Sequence, residues 1–264
     1  MSTISLKDKT ALITGASSGL GVDFARELAA RGANVILVAR REDQLKAVAA
    51  QIERAFGVSA RPVVLDLGAP DAPQKLYDDL HSAGIAVDIL VNNAGFGLFG
   101  SFSEIPWERE KAMLDLDIIV LTHMTKLFLP PMVERRSGYI LQVASIGAYQ
   151  PSPTYATYSA AKAYVLSMSE AINYELRNSG VSVTAVSPGV TATEFLKVSG
   201  QSPSLYQRLM MMQSKDVARI GIDSLLRRRS SVVPGLLNAL LAFSTRLMPR
   251  RMQAAAAYAT MTRY

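Results

Sequence analysis

An α/β fold, with a parallel sheet held between two layers of helices, is predicted by three observations. Apolar, β-branched runs of strand length alternate with helical patterns through roughly the first two hundred residues. A glycine-rich turn joins the first of these runs to the first helix. The composition, 264 residues with 49% hydrophobic and 19% charged, allows a substantial core. Repeated βα units of this kind imply right-handed crossovers and a doubly wound parallel sheet.

The elements follow in order. "TALIT" (10–14) predicts the first strand, and "LGVDFARELAARG" places Leu20, Phe24 and Leu28 on one helical face ending at Gly32. "NVILVA" (34–39) is the second strand, followed by a charged helix from Glu42 to about Ala55. "RPVVLD" (61–66), "DILVNN" (88–93), "GYILQVAS" (138–145) and "VSVTAVSP" (181–188) predict further buried strands. Residues 154–179 lack Gly and Pro, and Ala161, Val165, Met168, Ile172 and Leu176 follow helical spacing. No repeat or linker divides the chain, so one domain over 1–264 is expected.

Composition excludes several functions. With no cysteine there is no disulfide, thiolate catalyst or Cys-based metal site. His81 and His123 are far apart without acidic residues at ligand spacing, so both are expected on helix surfaces and no metal is expected. The net charge is +6, but the basic residues are scattered apart from 227–229 and 249–251. No basic stripe interleaves with aromatics, which argues against nucleic acid as a partner. The polar start "MSTISLKDKT" carries no signal-peptide pattern, and the apolar stretches fall short of the roughly 20 residues that span a bilayer. A cytoplasmic protein is expected.

"TGASSGLG" (14–21) supplies Gly15, Gly19 and Gly21 between strand and helix, the arrangement that holds a pyrophosphate on backbone amides and a helix N-terminus. Glycines that merely end a strand are the bland alternative. The second strand ends in "VARRE", with Arg40 and Arg41 where a reader of the ribose 2′-hydroxyl would be acidic. A guanidinium suits a 2′-phosphate, which favours NADP(H) over NAD(H) unless both arginines only cap an exposed strand end.

"TYATYSAAKAY" (154–164) holds three tyrosines, of which only Tyr158 has a lysine four residues on, Lys162. Positions four apart share a helical face. An ammonium about 4 Å from a phenolate is worth roughly 4 kcal/mol at an effective dielectric near 20, enough to bring a tyrosine towards neutrality. Such a phenol would be a usable general acid. Ten tyrosines and nine lysines would give about a third of such a pair by chance, so its surroundings decide its meaning.

Together, "TGASSGLG", Asp66 in "VVLDL", "NNAG" (92–95), Ser145, Tyr158 with Lys162, and "PGVTAT" (188–193) resemble the short-chain dehydrogenase/reductase family over about residues 7–235. The resemblance implies a Rossmann-type sheet of about seven strands and an NADP(H)-dependent oxidoreductase, commonly a homodimer or homotetramer built on the long helices flanking the serine strand. It implies that Tyr158 exchanges a proton with the substrate oxygen, Ser145 hydrogen-bonds that oxygen, and Lys162 tunes Tyr158 and binds the nicotinamide ribose. Ser17, Ser18, Leu20 and the three glycines would hold the cofactor, with Asp66 and Leu67 at adenine. Asn93, Ala94 and Gly95 would line the adenosine side, and Pro188, Gly189, Val190 and Thr193 the nicotinamide end. Substrate contacts would come from Ser145, Gln150, Tyr155 and Phe195.

One position departs from the family. Thirteen residues before Pro130, where an asparagine usually stands as a fourth catalytic member, this chain has Asp117. A carboxylate beside Lys162 would cancel part of the lysine's field at Tyr158, by about 1–3 kcal/mol at the same dielectric. A non-catalytic NADP-binding sensor or scaffold is the rival reading, opposed by intact Ser145, Tyr158 and Lys162.

Residues 188–216 correspond to the family's variable substrate loop, a lid over about 190–215. Phe195, Leu196, Leu205, Tyr206, Leu209 and Met210–Met212 make it apolar and adaptable, which favours a hydrophobic ketone or secondary alcohol. The apolar extension over about 235–264 is interrupted by Arg246, Pro249 and two arginines. It can pack over the cleft, join a subunit interface or lie on a membrane surface.

Overall fold

Seven strands, all parallel, hydrogen-bond in the order β3-β2-β1-β4-β5-β6-β9 in the computed structural model, which describes residues 4–202 and 204–262. The first half runs β1 (Thr10–Thr14), α1 (Gly19–Ala29), β2 (Asn34–Ala39), α2 (Glu42–Phe56), β3 (Ala60–Val64), α3 (Ala72–Ser82) and β4 (Ile89–Asn92). Next come α4 (Trp107–Leu114), α5 (Leu121–Glu134), β5 (Gly138–Val143), α6 (Ala156–Glu175) and β6 (Val181–Val186). The lid region holds β7 (Thr191–Ala192), α7 (Phe195–Ser199), α8 (Leu205–Leu209) and β8 (Met212–Gln213), with β7 pairing β8. The chain continues through α9 (Ser214–Leu226), β9 (Ser231–Val232), α10 (Leu236–Ser244) and α11 (Arg250–Thr262).

Helices cover both faces, which is why β4 and β6 are buried along their whole length. One face packs Phe24 and Leu28 of α1 with Leu45 and Ile52 of α2 and Ile222 and Leu225 of α9. The other packs Leu76 and Leu80 of α3 with Met124, Phe128 and Met132 of α5. Phe24 and Leu28 share the inner stripe, as their spacing predicts, with Leu20 partly buried beside them.

The structure differs from the expected boundaries mainly at strand ends. The strands predicted over 61–66, 88–93, 138–145 and 181–188 each stop two residues or one residue earlier, at Val64, Asn92, Val143 and Val186. The residues just beyond, Asp66, Asn93, Ser145 and Pro188, leave the ladder and turn into the space above the sheet. The helix predicted over 154–179 begins at Ala156, after Thr154 takes a left-handed conformation at φ 70°. Strand β9, two residues long, carries too little pattern to be read from sequence and is fixed by pairing with Ala185 and Val186.

Between β1 and β4 the strand order reverses direction, and the chain ends there are tied by one hydroxyl. Thr14 Oγ1 accepts from the backbone N–H groups of Asn93 and Ala94, each at 2.9 Å, and donates to the Val91 carbonyl at 3.2 Å. The Asn93 side chain returns the contact, donating to the Thr14 carbonyl at 2.9 Å. Thr14 is 2% exposed, so without the hydroxyl the Ala94 amide loses its partner and the Asn93 amide keeps only the Val91 carbonyl, at 3.1 Å. Replacing Thr14 with valine is expected to cost about 1–3 kcal/mol of stability. Urea unfolding followed by circular dichroism checks this; an unchanged midpoint refutes the pin.

Candidate active site

The space above the carboxyl ends of the strands is a cleft of about 670 Å³ centred on that reversal point. Its first end is the β1–α1 turn. Gly21, in the first turn of α1, packs its Cα against the β1–α1 turn: a Cβ there would stand 2.2 Å from the Gly15 carbonyl oxygen. Gly15, Ser17, Ser18, Gly19 and Leu20 line the cleft, while Gly21 lies behind it and closes the turn. The bare backbone is the kind of cradle a pyrophosphate requires.

Arg40 and Arg41 stand at the same end. Arg41 Nε donates to Ser17 Oγ at 3.2 Å, its Nη2 donates to Ser18 Oγ, and its Nη1 meets Glu194 Oε2 at 3.1 Å. The guanidinium holds the exposed Glu194 carboxyl below its usual range, helped by Ser18. Arg40 is 3.6 Å from Asp66 Oδ2, and Asp66 Oδ1 accepts from the Gly68 amide at 3.0 Å. Two guanidiniums, two hydroxyls and an open backbone turn fit the 2′-phosphate and pyrophosphate of NADP(H). Leu67, Asn93, Ala94 and Gly95 continue the lining towards the centre.

At the centre Ser145 caps a short 3-10 turn, Ile146–Tyr149, its Oγ accepting from the Gly147 amide at 3.1 Å. That bond uses the oxygen as acceptor and leaves the hydroxyl proton free to be donated. Tyr158 lies in the first turns of α6, its phenol close enough to Ser145 for that side chain to favour the phenolate. Lys162, 5% exposed, stands one turn on with Nζ 5.6 Å from the centroid of the Tyr158 ring. Its ammonium turns to Asp117 Oδ2 at 3.0 Å and to the Val143 carbonyl at 3.2 Å.

Asp117 lies outside the cleft lining and is wholly buried. It sits in a π-helical turn, Asp115–Val120, between α4 and α5, a distortion frequent at functional sites. The wider turn aims its carboxylate at Lys162, and Oδ1 accepts from the Phe96 amide at 3.1 Å. Burial raises the Asp117 carboxyl above the usual carboxylate range, against the opposing pull of Lys162. Gly95 makes the approach possible, since a Cβ there would stand 2.5 Å from Asp117 Oδ1.

The expected lowering of Tyr158 does not occur in this arrangement. Burial and the Asp117 carboxylate push the phenol above its ordinary value, opposed by the Ser145 hydrogen bond. The reason is geometric: the ammonium lies against the ring face and is paired with a carboxylate instead of facing the phenolic oxygen.

Aromatic rings wall the far end. Tyr155 and Phe195 flank Tyr158 with centroids at 5.6 and 5.4 Å, and Phe99 packs on Tyr155 at 5.4 Å. The Tyr155 hydroxyl donates to Ser199 and Gln201 of the lid at 3.0 and 2.8 Å, and burial pushes it up to about 12. Gln150, Pro188, Gly189, Val190 and Thr193 complete the lining. The three successive methionines fall elsewhere: none lines this cleft, Met211 faces an outer groove, and Met212 accepts from Asn238. Leu196 and Val198 provide the apolar lid surface. The side chains of Leu205 and Tyr206 lie outside the described residues.

Three contributors gave no sequence signal. Glu194 meets Arg41 across 153 positions, and Gln201 and Met261 reach the cleft only through packing of the lid against α11. The Asn92–Thr125–Gln142 cluster beneath the cleft is similarly long-range, with Asn92 donating to Gln142 at 2.9 Å.

A family model for the short chain dehydrogenases matches residues 9–203. The chain belongs to the short-chain dehydrogenase family. An uncharacterized oxidoreductase of Myxococcus xanthus is 37% identical over 186 residues, covering 70% of this chain and 73% of the relative. A human very-long-chain 3-oxoacyl-CoA reductase is 35% identical over 192 residues, 71% of this chain but only 61% of that longer protein. A short-chain dehydrogenase from Sphingobium yanoikuyae, solved in complex with NADPH, superposes with a TM-score of 0.80 at 30% identity, covering 91% of this chain and 94% of that one. Membership makes the chain an oxidoreductase with the seven-stranded Rossmann-type sheet of its neighbours.

The coupling of Asp117 to Tyr158 has a definite sign. With Tyr158 as the expected proton donor, the rate of reduction would fall as pH rises through the Tyr158 ionisation. Asp117→Asn removes a cause of the upward push and frees Lys162 from its carboxylate. The alkaline limb of carbonyl reduction is expected to move to lower pH in Asp117→Asn; profiles that superimpose refute the coupling.

Proposed function

We propose that this short-chain dehydrogenase reduces the carbonyl of a hydrophobic small molecule, with NADPH supplying the hydride. The observation that carries the reading is the Ser145–Tyr158 hydroxyl pair opening into a cleft that joins a phosphate cradle to an aromatic pocket. In this reading the two hydroxyls orient the substrate oxygen, and Tyr158 gives it a proton as the alkoxide develops. A phenol held above its ordinary value keeps that proton across neutral pH, which favours the reductive direction. Oxidation of the alcohol would need the phenolate and so a more alkaline medium.

Lys162 and Asp117 act behind Tyr158. The ammonium is held in place by the carboxylate, ready for the nicotinamide-side ribose hydroxyls, with Gly189 and Val190 beside the ring. The turn residues 15–20 would hold the pyrophosphate, and Arg40 and Arg41 the 2′-phosphate. Asp66 and Leu67 would border adenine, with Asn93, Ala94 and Gly95 beneath. The apolar substrate is argued from Tyr155, Phe195, Leu196 and Val198 at the far wall, and is in keeping with the long acyl chain in the human relative's name.

Two measurements test this. Arg40→Ala/Arg41→Ala removes charge-assisted bonds worth about 1.5–3 kcal/mol each, so NADPH affinity should fall by roughly tenfold or more while NADH affinity barely changes. Equal losses for both cofactors would assign the arginines elsewhere. Tyr158→Phe should reduce NADPH oxidation with bulky apolar ketones by about a hundredfold or more while NADPH still binds. Full turnover in that variant would remove Tyr158 from the chemistry; no turnover by the wild type on any ketone, with NADPH bound, would favour a sensor.

A further inference from the structure

Helix α10 is built inside out. Its buried side carries Asn238 and Ala242, with Thr245 just beyond its end, while Leu236, Leu237, Leu240, Leu241 and Phe243 point outward. Leu236 is 78% exposed, Phe243 57%, and Leu247 in the following turn 77%. The polar side is not misplaced. Asn238 Nδ2 donates to the Pro234 carbonyl at 3.0 Å, and the Thr245 carbonyl accepts from Gln253 Nε2 of α11 at 2.7 Å. These bonds fix which face turns out, so the leucines cannot rotate inward without breaking them. Contiguous exposed apolar surface of this kind marks a surface meant to be covered.

The charge around it says by what. Downstream of Asp223 the sequence contains seven arginines and no acidic residue. The chain up to Asp223 therefore carries 21 of the 28 basic residues and all 22 acidic ones, leaving the whole positive excess in this last segment. Arg246, Arg250 and Arg251 are exposed beside the apolar face. A second copy is a poor cover, because a two-fold contact would set this arginine-bearing segment, which holds no acidic residue of its own, against itself. An apolar helix face rimmed by arginines is instead complementary to a bilayer surface bearing anionic headgroups. Helix α10 has nine residues, and no helix among the described residues is long and apolar enough to cross a membrane. The fit is therefore to lying on the surface.

We propose that the outward face of α10 and the turn after it dock this protein on anionic lipid bilayers. Asn238 packs on Gly189 of the cleft, where a Cβ would stand 2.6 Å from its Nδ2, and α11 contributes Met261 to the cleft wall. Helix α10 thus has its inner side against the cleft and its outer side turned to the bilayer.

Co-sedimentation of the full chain with vesicles tests the proposal without reference to activity. Binding to phosphatidylcholine vesicles containing phosphatidylglycerol should exceed binding to phosphatidylcholine alone by about tenfold at low salt and weaken as salt is added. Leu240→Gln/Phe243→Gln, both exposed and so expected to melt like the wild type, should lose about tenfold in binding. Arg250→Ala/Arg251→Ala should lose most of the preference for the anionic vesicles. No sedimentation, equal binding to both vesicles, or undiminished binding of Leu240→Gln/Phe243→Gln overturns it. So does light scattering that finds a dimer which those two glutamines dissociate, since a second copy would then be the cover.

Discussion

A buried ammonium with three neighbours organises the centre of this molecule. Lys162 lies between the Asp117 carboxylate, the Val143 carbonyl and the face of the Tyr158 ring. Removing either ion from water is costly, and leaving one of the pair unpartnered costs more still. Much of the surrounding structure serves that constraint. The π-helical turn delivers Asp117, Gly95 leaves room for its carboxylate, and β5 ends where its last carbonyl can accept from Nζ. Burial first, and the Asp117 carboxylate after it, leave Tyr158 with its proton.

The cleft joins two kinds of construction. The cofactor end is made of strand ends and backbone, pinned by Thr14 to Asn93 and Ala94 across the reversal of strand order. The substrate end is made of side chains from the lid and the C-terminal helices, which meet through Tyr155, Gln201 and Met261. Arg41 and Glu194 link the ends in one exposed contact. A rigid floor and a separately built roof let cofactor recognition stay fixed while the pocket takes its own shape.

The C-terminal segment obeys a different rule from the rest. Elsewhere apolar residues face the sheet, as Phe24, Leu28 and Phe128 do. In α10 a hydrogen-bonded Asn238 holds the polar side inward and leaves leucines to the outside. Hydropathy alone marks the stretch as apolar and cannot say which way it faces.

Much was legible in the sequence because it is local. Strand and helix periods, the glycine turn, the arginines after β2 and the four-residue step from Tyr158 to Lys162 are short-range patterns, and short-range sterics and burial enforce them. What tertiary structure decided was every relation between distant positions. It stopped four strands early to aim Asp66, Asn93, Ser145 and Pro188 into the cleft, and it took the methionines out of it. It brought Glu194 to Arg41 and turned α10 outward. Above all it set the direction of the Tyr158 shift: spacing can put a lysine on the same face as a tyrosine, but only the packed fold determines how deeply the phenol is buried and whether a carboxylate reaches that lysine.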